Sequence, residues 1–197
     1  MIPLLLKDFL LLKKQLGLMT GIVLLFAVFA GTQTSILLAL MTTMMMSMIS
    51  INTLAYDQHD GWDAYACVLP LSRTKLIVSK YLLAGICIAV SVILVMLTTL
   101  LFGKWKQETL FFNASAQIAF GLVLMSGNFP LILKYGYEKS RVYYIILTGI
   151  FMGLGSFLFK ISSMQFILFL PLFGILCVFL SLKIAISIMK MKEFSES

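Results

Sequence analysis

The sequence predicts an all-α, polytopic membrane protein with six transmembrane helices. Of its 197 residues, 61% are hydrophobic and only 12% charged, and the charges fall in short gaps between uncharged runs. So much apolar side chain exceeds what a soluble core of this length can enclose, so lipid must solvate most of the surface. A backbone in hydrocarbon has no water to bond, and runs of about 20 residues solve this as helices.

The chain opens with Pro3–Lys14, where Leu4, Leu5, Phe9 and Leu12 are interrupted by Lys7, Asp8 and Lys14. The mixture predicts an N-terminal interfacial helix along the inner leaflet, with lysines toward lipid headgroups. The alternative is a helical extension of the first span. Met1–Lys14 has charges on both sides of its apolar residues and no small-residue cleavage site, so it is read as retained rather than as a signal.

Gln15–Tyr56 carries no charge, which is enough for two spans, 16–33 and 35–56, folded back at Gly31-Thr32-Gln33-Thr34. Four further spans are expected at 81–103, 110–133, 142–159 and 164–183, all in a single transmembrane domain covering residues 1–197. Lys183–Phe194 carries the last helix beyond the membrane edge.

Charge sets the orientation. One set of loops and ends holds Lys7, Lys13, Lys14, Arg73, Lys75, Lys80, Lys134, Lys139, Arg141, Lys183, Lys190 and Lys192; the other holds Lys104, Lys106 and Lys160. Twelve against three places the richer side, and both termini, in the cytoplasm of a cell-membrane protein. The same distribution explains the net charge of +7 without invoking nucleic acid.

Several chemistries lack their residues. No G-x-x-x-x-G-K-[S/T] pattern is present to cradle a nucleotide phosphate, so the chain is expected to have no ATPase site and to be no enzyme. His59, the only histidine, lies beside Asp57 and Asp60 with no further ligand type near, and reads as part of a polar loop rather than a metal site. Cys67, Cys87 and Cys177 have neither metal nor disulfide spacing and read as free thiols. Ser126 has no histidine to activate it. The spans themselves are expected to hold no ionisable residue, whereas ion-driven carriers keep one on the transport path. Such a chain moves something passively, binds something apolar, or draws energy from a partner.

Met41, Met45 and Met48 share one face of the second span. Their Met-x-x-Met spacings could hold Cu(I), but adaptable packing against helices or an apolar cargo is the better reading, and they are candidate cargo-path residues. Pro130 and Pro171 read either as ordinary kinks or as pivots.

The gap between spans two and three is the most distinctive stretch. Asp60 and Asp63 are one helical turn apart, and Trp62, Tyr65 and Leu69 follow at spacings of three and four before Pro70 ends the turn. This predicts a short amphipathic cytoplasmic helix, a break, and a third span capped at Ser72 or Thr74. The aromatic rings serve either as interface anchors or as a docking surface for a cytoplasmic protein.

The loop resembles that of ABC-2 type transporter permeases of the short six-helix group of Gram-positive bacteria. The matching residues are Asp57 and Asp60, Trp62, Tyr65, Leu69-Pro70, Ser72-Arg73 and Lys80-Tyr81. Pro130-Leu131 with Lys134-Tyr135-Gly136-Tyr137-Glu138-Lys139-Ser140-Arg141 matches a second loop of that group, and Lys7-Asp8 and Lys190–Phe194 match its ends. The resemblance implies an exporter half that pairs with a second permease copy or a paralogue and binds two separately encoded ABC ATPase subunits. ATP and Mg would then be bound by the partner, and no cofactor by this chain. Cargoes of the group are amphipathic peptides, antimicrobials or other hydrophobic molecules, and some members confer immunity.

On that reading Asp57, Asp60, Trp62, Asp63, Tyr65, Leu69, Pro70 and Arg73 form the cytoplasmic coupling helix and its flanks, where the ATPase docks. Lys134, Gly136, Glu138, Lys139 and Arg141 form a secondary contact. Two other readings remain: a substrate-binding subunit of an energy-coupling vitamin importer, and a non-transporting immunity protein.

Overall fold

The computed structural model describes residues 2–33, 35–60, 73–102, 107–158 and 166–191, and every regular element among them is an α-helix. The helices are α1 (Ile2–Gln33), α2 (Ile36–His59), α3 (Arg73–Leu101), α4 (Gln107–Tyr135), α5 (Tyr137–Leu158) and α6 (Phe166–Met191). Four segments are long and apolar enough to cross a membrane: Ile36–Asp57, Thr74–Leu101, Leu110–Tyr135 and Phe169–Met189. Met19–Gln33 within α1 is a shorter apolar stretch. The 22 residues of α5 rise about 33 Å, comparable to a hydrocarbon core of about 30 Å. The chain is a polytopic all-α membrane protein.

Helices α2, α3 and α4 pack on one another at the centre. Helix α1 lies against α2 and α3, α5 against α4 and α2, and α6 against α4 and α3. Over an 18-residue stretch of the α4 membrane segment 78% of the residues are buried within the chain, against 22% for α6, whose Phe169, Phe173, Leu176 and Phe179 point outward. In lipid such apolar exposure carries no hydrophobic penalty, and helix contacts depend on close packing and on polar groups bonded internally. Accordingly the buried hydroxyls of Thr42, Ser50, Thr53 and Thr148 donate to carbonyls three or four residues back on their own helices.

One expectation is corrected at α1. The Pro3–Lys14 segment is not a separate interfacial helix; α1 is unbroken from Ile2 to Gln33, which is the alternative of an extended first helix. The physical reason is that Lys7 and Asp8 have partners inside the bundle, as described below, and so hold the segment in line with the rest of α1. Of the residues read as the fold-back, Gly31, Thr32 and Gln33 lie in α1, which ends at Gln33. Gly31 is helical, and it is the point where α1 comes closest to α3: a Cβ there would lie 2.8 Å from the Thr98 backbone carbonyl carbon. One turn earlier, Thr98 Oγ1 donates to the Ala27 carbonyl at 2.9 Å, bonding the two helices across that approach.

Between α4 and α5 the chain reverses on one residue. Gly136 has φ +82°, a left-handed conformation that costs glycine nothing, and its N–H closes α4 on the Ile132 carbonyl at 3.0 Å.

Gly31→Ala should overpack α1 against a backbone atom that cannot turn aside, lowering stability by about 1–3 kcal/mol. Gly149→Ala, where an added Cβ meets nothing within 4 Å, should be neutral. Thermal melting of both variants in detergent checks the contrast; equal effects would contradict the close approach.

Candidate functional site at the basic end of the bundle

Helices α1 and α3 start, and α2, α4 and α6 finish, at the end of the bundle where the sequence concentrates its lysines and arginines. Adjacent residues on a helix point about 100° apart, so Lys7 and Asp8 address different neighbours. Lys7 Nζ donates to Asp57 Oδ1 of α2 at 2.7 Å. Lys80 Nζ of α3 donates to Asp8 Oδ1 at 2.7 Å and to Asp57 Oδ2 at 2.5 Å. The four side chains form a continuous series, Lys7–Asp57–Lys80–Asp8, in which Asp57 and Lys80 each hold two partners. It carries no net charge and binds three helices.

Burial makes this arrangement consequential. Asp8 is 1% exposed, Asp57 3% and Lys80 9%. Charges withdrawn from water this far lose several kcal/mol of hydration each, and only close, multiply bonded counter-charges offset the loss. Desolvation dominates at Asp8: burial pushes its carboxyl above the ordinary value of 3.8, against the opposing pull of the Lys80 ammonium. Beneath the cluster is a crevice of about 30 Å³, floored by Tyr81, Phe129, Leu133 and Met189, a volume that admits one or two water molecules.

This cluster changes the expected picture of the docking surface. Asp57 was assigned to a loop facing a partner, but α2 continues to His59 and turns the Asp57 carboxylate inward onto two lysines. Lys80 likewise lies inside α3, which begins at Arg73, so the bundle does enclose ionisable groups at this end. Asp60 remains exposed beyond α2, its carboxylate 3.1 Å from His59 Nδ1. Trp62, Asp63, Tyr65, Leu69 and Pro70 lie outside the described residues, as does the coupling helix they would form. Arg73 opens α3.

The secondary contact is laid out more simply. Lys134 ends α4 with its ammonium 5.2 Å from the Tyr135 ring centre. Gly136 makes the reversal, and Glu138, Lys139 and Arg141 fall in the first turns of α5, with Lys139 and Arg141 exposed. The candidate cargo-path residues Met41, Met45 and Met48 are all half-buried, and Met45 packs with Val23, Met46 and Ile49 where α1 meets α2.

The sequence reading missed Lys7, Asp8 and Lys80 as a site, together with Tyr81, Ser126 and Ser181 deeper in the bundle. A signal was available for the first three. Two acids and two bases stand at the ends of three apolar segments, and such lone charges beside membrane spans pair with one another.

Buried ion pairs thus clamp the first three helices of this multi-pass helical membrane protein at one end. The chain belongs to the ABC-2 family transporter proteins, whose family model matches residues 3–191. It is therefore an ABC transporter permease, and the family implies an ABC ATPase as its partner. Nothing among curated proteins or solved structures matches the chain.

Lys80→Met should strand the buried Asp8 carboxylate, leave Asp57 with Lys7 alone, and destabilise the bundle by about 3–5 kcal/mol. Asp8→Asn should behave differently. Because the folded chain raises the Asp8 pKa, the ionised carboxylate costs stability at neutral pH, a cost that fades as pH falls through the folded value and is gone below 3.8. The Asp8→Asn variant should thus melt at or slightly above the native temperature at pH 7. A drop matching that of Lys80→Met would show that attraction to Lys80, not burial, governs Asp8.

Proposed function

We propose that this chain is the permease of an ABC exporter, moving an amphipathic peptide, antimicrobial or other hydrophobic cargo with energy from a separately encoded ATPase. The observation that carries this reading is the clamping of both stems of the α2–α3 loop. Asp57 lies four residues before residue 61 and Lys80 eight after residue 72, and both are bonded to α1. A loop held this way passes a push on its tip into three helices at once, rather than yielding alone.

The basic end faces the cytoplasm, following the lysine and arginine bias, so the loop meets the compartment that holds ATP. Trp62 and Tyr65 supply the aromatic anchors of the docking surface, with Asp60 and Asp63 beside them, while Lys134, Lys139 and Arg141 offer a second, basic contact. Two ATPase subunits, each holding ATP and Mg, serve a pair of permeases made of two copies of this chain or of this chain and a paralogue. The cargo passes along the pair in alternating inward-open and outward-open states.

The test is co-purification of the natural chain with its ATPase from membranes, followed by Trp62→Ala and Tyr65→Ala. Each substitution should weaken ATPase association by at least about tenfold, as expected for an aromatic anchor, and lower transport of a fluorescent amphipathic peptide into inverted vesicles while the permease stays folded. Retention of a small vitamin by the lone chain, with no ATPase bound, would overturn the exporter reading.

A further inference from the structure

Pro130 lies inside α4. It has no N–H for the carbonyl four residues back, so the Ser126 carbonyl loses its helical donor, and in a dry bundle that loss must be answered from elsewhere. Ser181 of α6 answers it, its Oγ donating to the Ser126 carbonyl at 2.7 Å. A hydroxyl has one proton to give. Having spent its own, Ser181 accepts from Tyr81 of α3, whose hydroxyl is 2.5 Å away. The direction of the series is fixed: Tyr81 to Ser181 to the α4 backbone.

Two neighbouring features bear on this turn. Tyr81 directly follows Lys80 of the ion cluster, and its ring meets Phe129, the residue before Pro130, edge-on at 4.8 Å. Inside the turn, Asn128 Nδ2 donates to the Leu124 carbonyl at 2.7 Å, while its Oδ1 is buried with no hydrogen-bond partner among the described residues. A buried acceptor left this way destabilises the arrangement that strands it. At a helix turn already broken by proline, a second arrangement of the backbone can relieve that cost.

We infer that α4 bends at the Ser126–Pro130 turn during transport, and that Tyr81 and Ser181 are positioning residues linking this bend to α3. The inference takes its driving force from the proposed exporter function: ATPase closure moves the docking loop, Lys80 carries the motion into α3, and Tyr81 hands it through Ser181 to the freed carbonyl. The bend itself belongs to the chain alone.

Two measurements test this, and they fail separately. In the first, the lone chain in lipid nanodiscs is followed by hydrogen exchange of the backbone amides at 131–135. Ser181→Ala should speed exchange there by about tenfold, the cost of an unanswered carbonyl. Ser181→Thr should keep the native rate. Pro130→Ala restores an N–H to the helix, so the double variant P130A/S181A should return to slow exchange. Unchanged exchange in Ser181→Ala would overturn the linkage.

In the second, the complex with its ATPase is trapped with ATP and vanadate. Spin labels at exposed Thr74 and Tyr135 are placed in a chain whose three cysteines are replaced. Trapping should change their separation in the native chain and in Ser181→Thr, and leave it unchanged in P130A/S181A despite that variant's restored stability. A purely structural Ser181 predicts native movement in the double variant, and that result would overturn the bend. Failure of the ATPase to bind the native chain would overturn the proposed function instead, leaving the linkage to be decided by hydrogen exchange.

Discussion

The cluster Lys7–Asp57–Lys80–Asp8 is the interaction on which the arrangement of the first three helices turns. Charges at the edge of a lipid-solvated bundle can reach out to headgroups or turn inward to each other. These four turn inward, and that choice aligns the start of α1 with the end of α2 and the start of α3. It also explains why a segment as mixed as Pro3–Lys14 continues α1 instead of lying flat on the membrane. Desolvation is the opposing term, visible in the raised pKa of Asp8. The cluster is thus a specific geometric tie more than a source of stability, in line with the modest net worth of buried ion pairs elsewhere.

Away from that end the helices are held by other means. Thr98 bonds the Ala27 carbonyl where Gly31 lets α1 approach α3. Tyr144 of α5 donates to the Met44 carbonyl of α2 at 3.0 Å. Each is one side-chain donor set against a backbone acceptor of another helix, in a place where water cannot substitute. Interhelical bonds of this kind are individually worth about 0.6 kcal/mol on average, so they specify which faces meet without locking the bundle. A permease that must change shape is well served by contacts of that size.

Much of this was legible from residue order. The uncharged runs predicted an all-α membrane protein, and every regular element among the described residues is an α-helix, four of them long and apolar enough to cross a membrane. The ion cluster was not legible, because a charge at the end of an apolar run reads as the end of a span. Asp57 is thereby read as opening a loop, and Lys80 as lying on the helix just outside the third span, whereas α2 runs on to His59 and both side chains are buried. Lys7 and Asp8 invited the interfacial reading for the same reason: their partners are about 50 and 72 positions away in sequence, a separation no local pattern encodes. Ser126 and Ser181 carry no spacing signature at all. Pro130 announced a broken hydrogen bond but not which neighbour would mend it. Trp62 and Tyr65 lie outside the described residues, which include only the helices on either side, α2 and α3.

The single-residue link at Gly136 has a mechanical meaning. One glycine holds Tyr135 and Tyr137 within two virtual bonds of about 3.8 Å each, which is no slack on the scale of a tilting helix. Whatever displaces the foot of α4 must carry the head of α5 along as a stiff elbow. Since α5 is hooked to α2 through Tyr144, a tug delivered at that corner returns to the helix whose far end bears Asp57. The connectivity closes on itself, and a force entering at either corner of the basic end is shared around a ring.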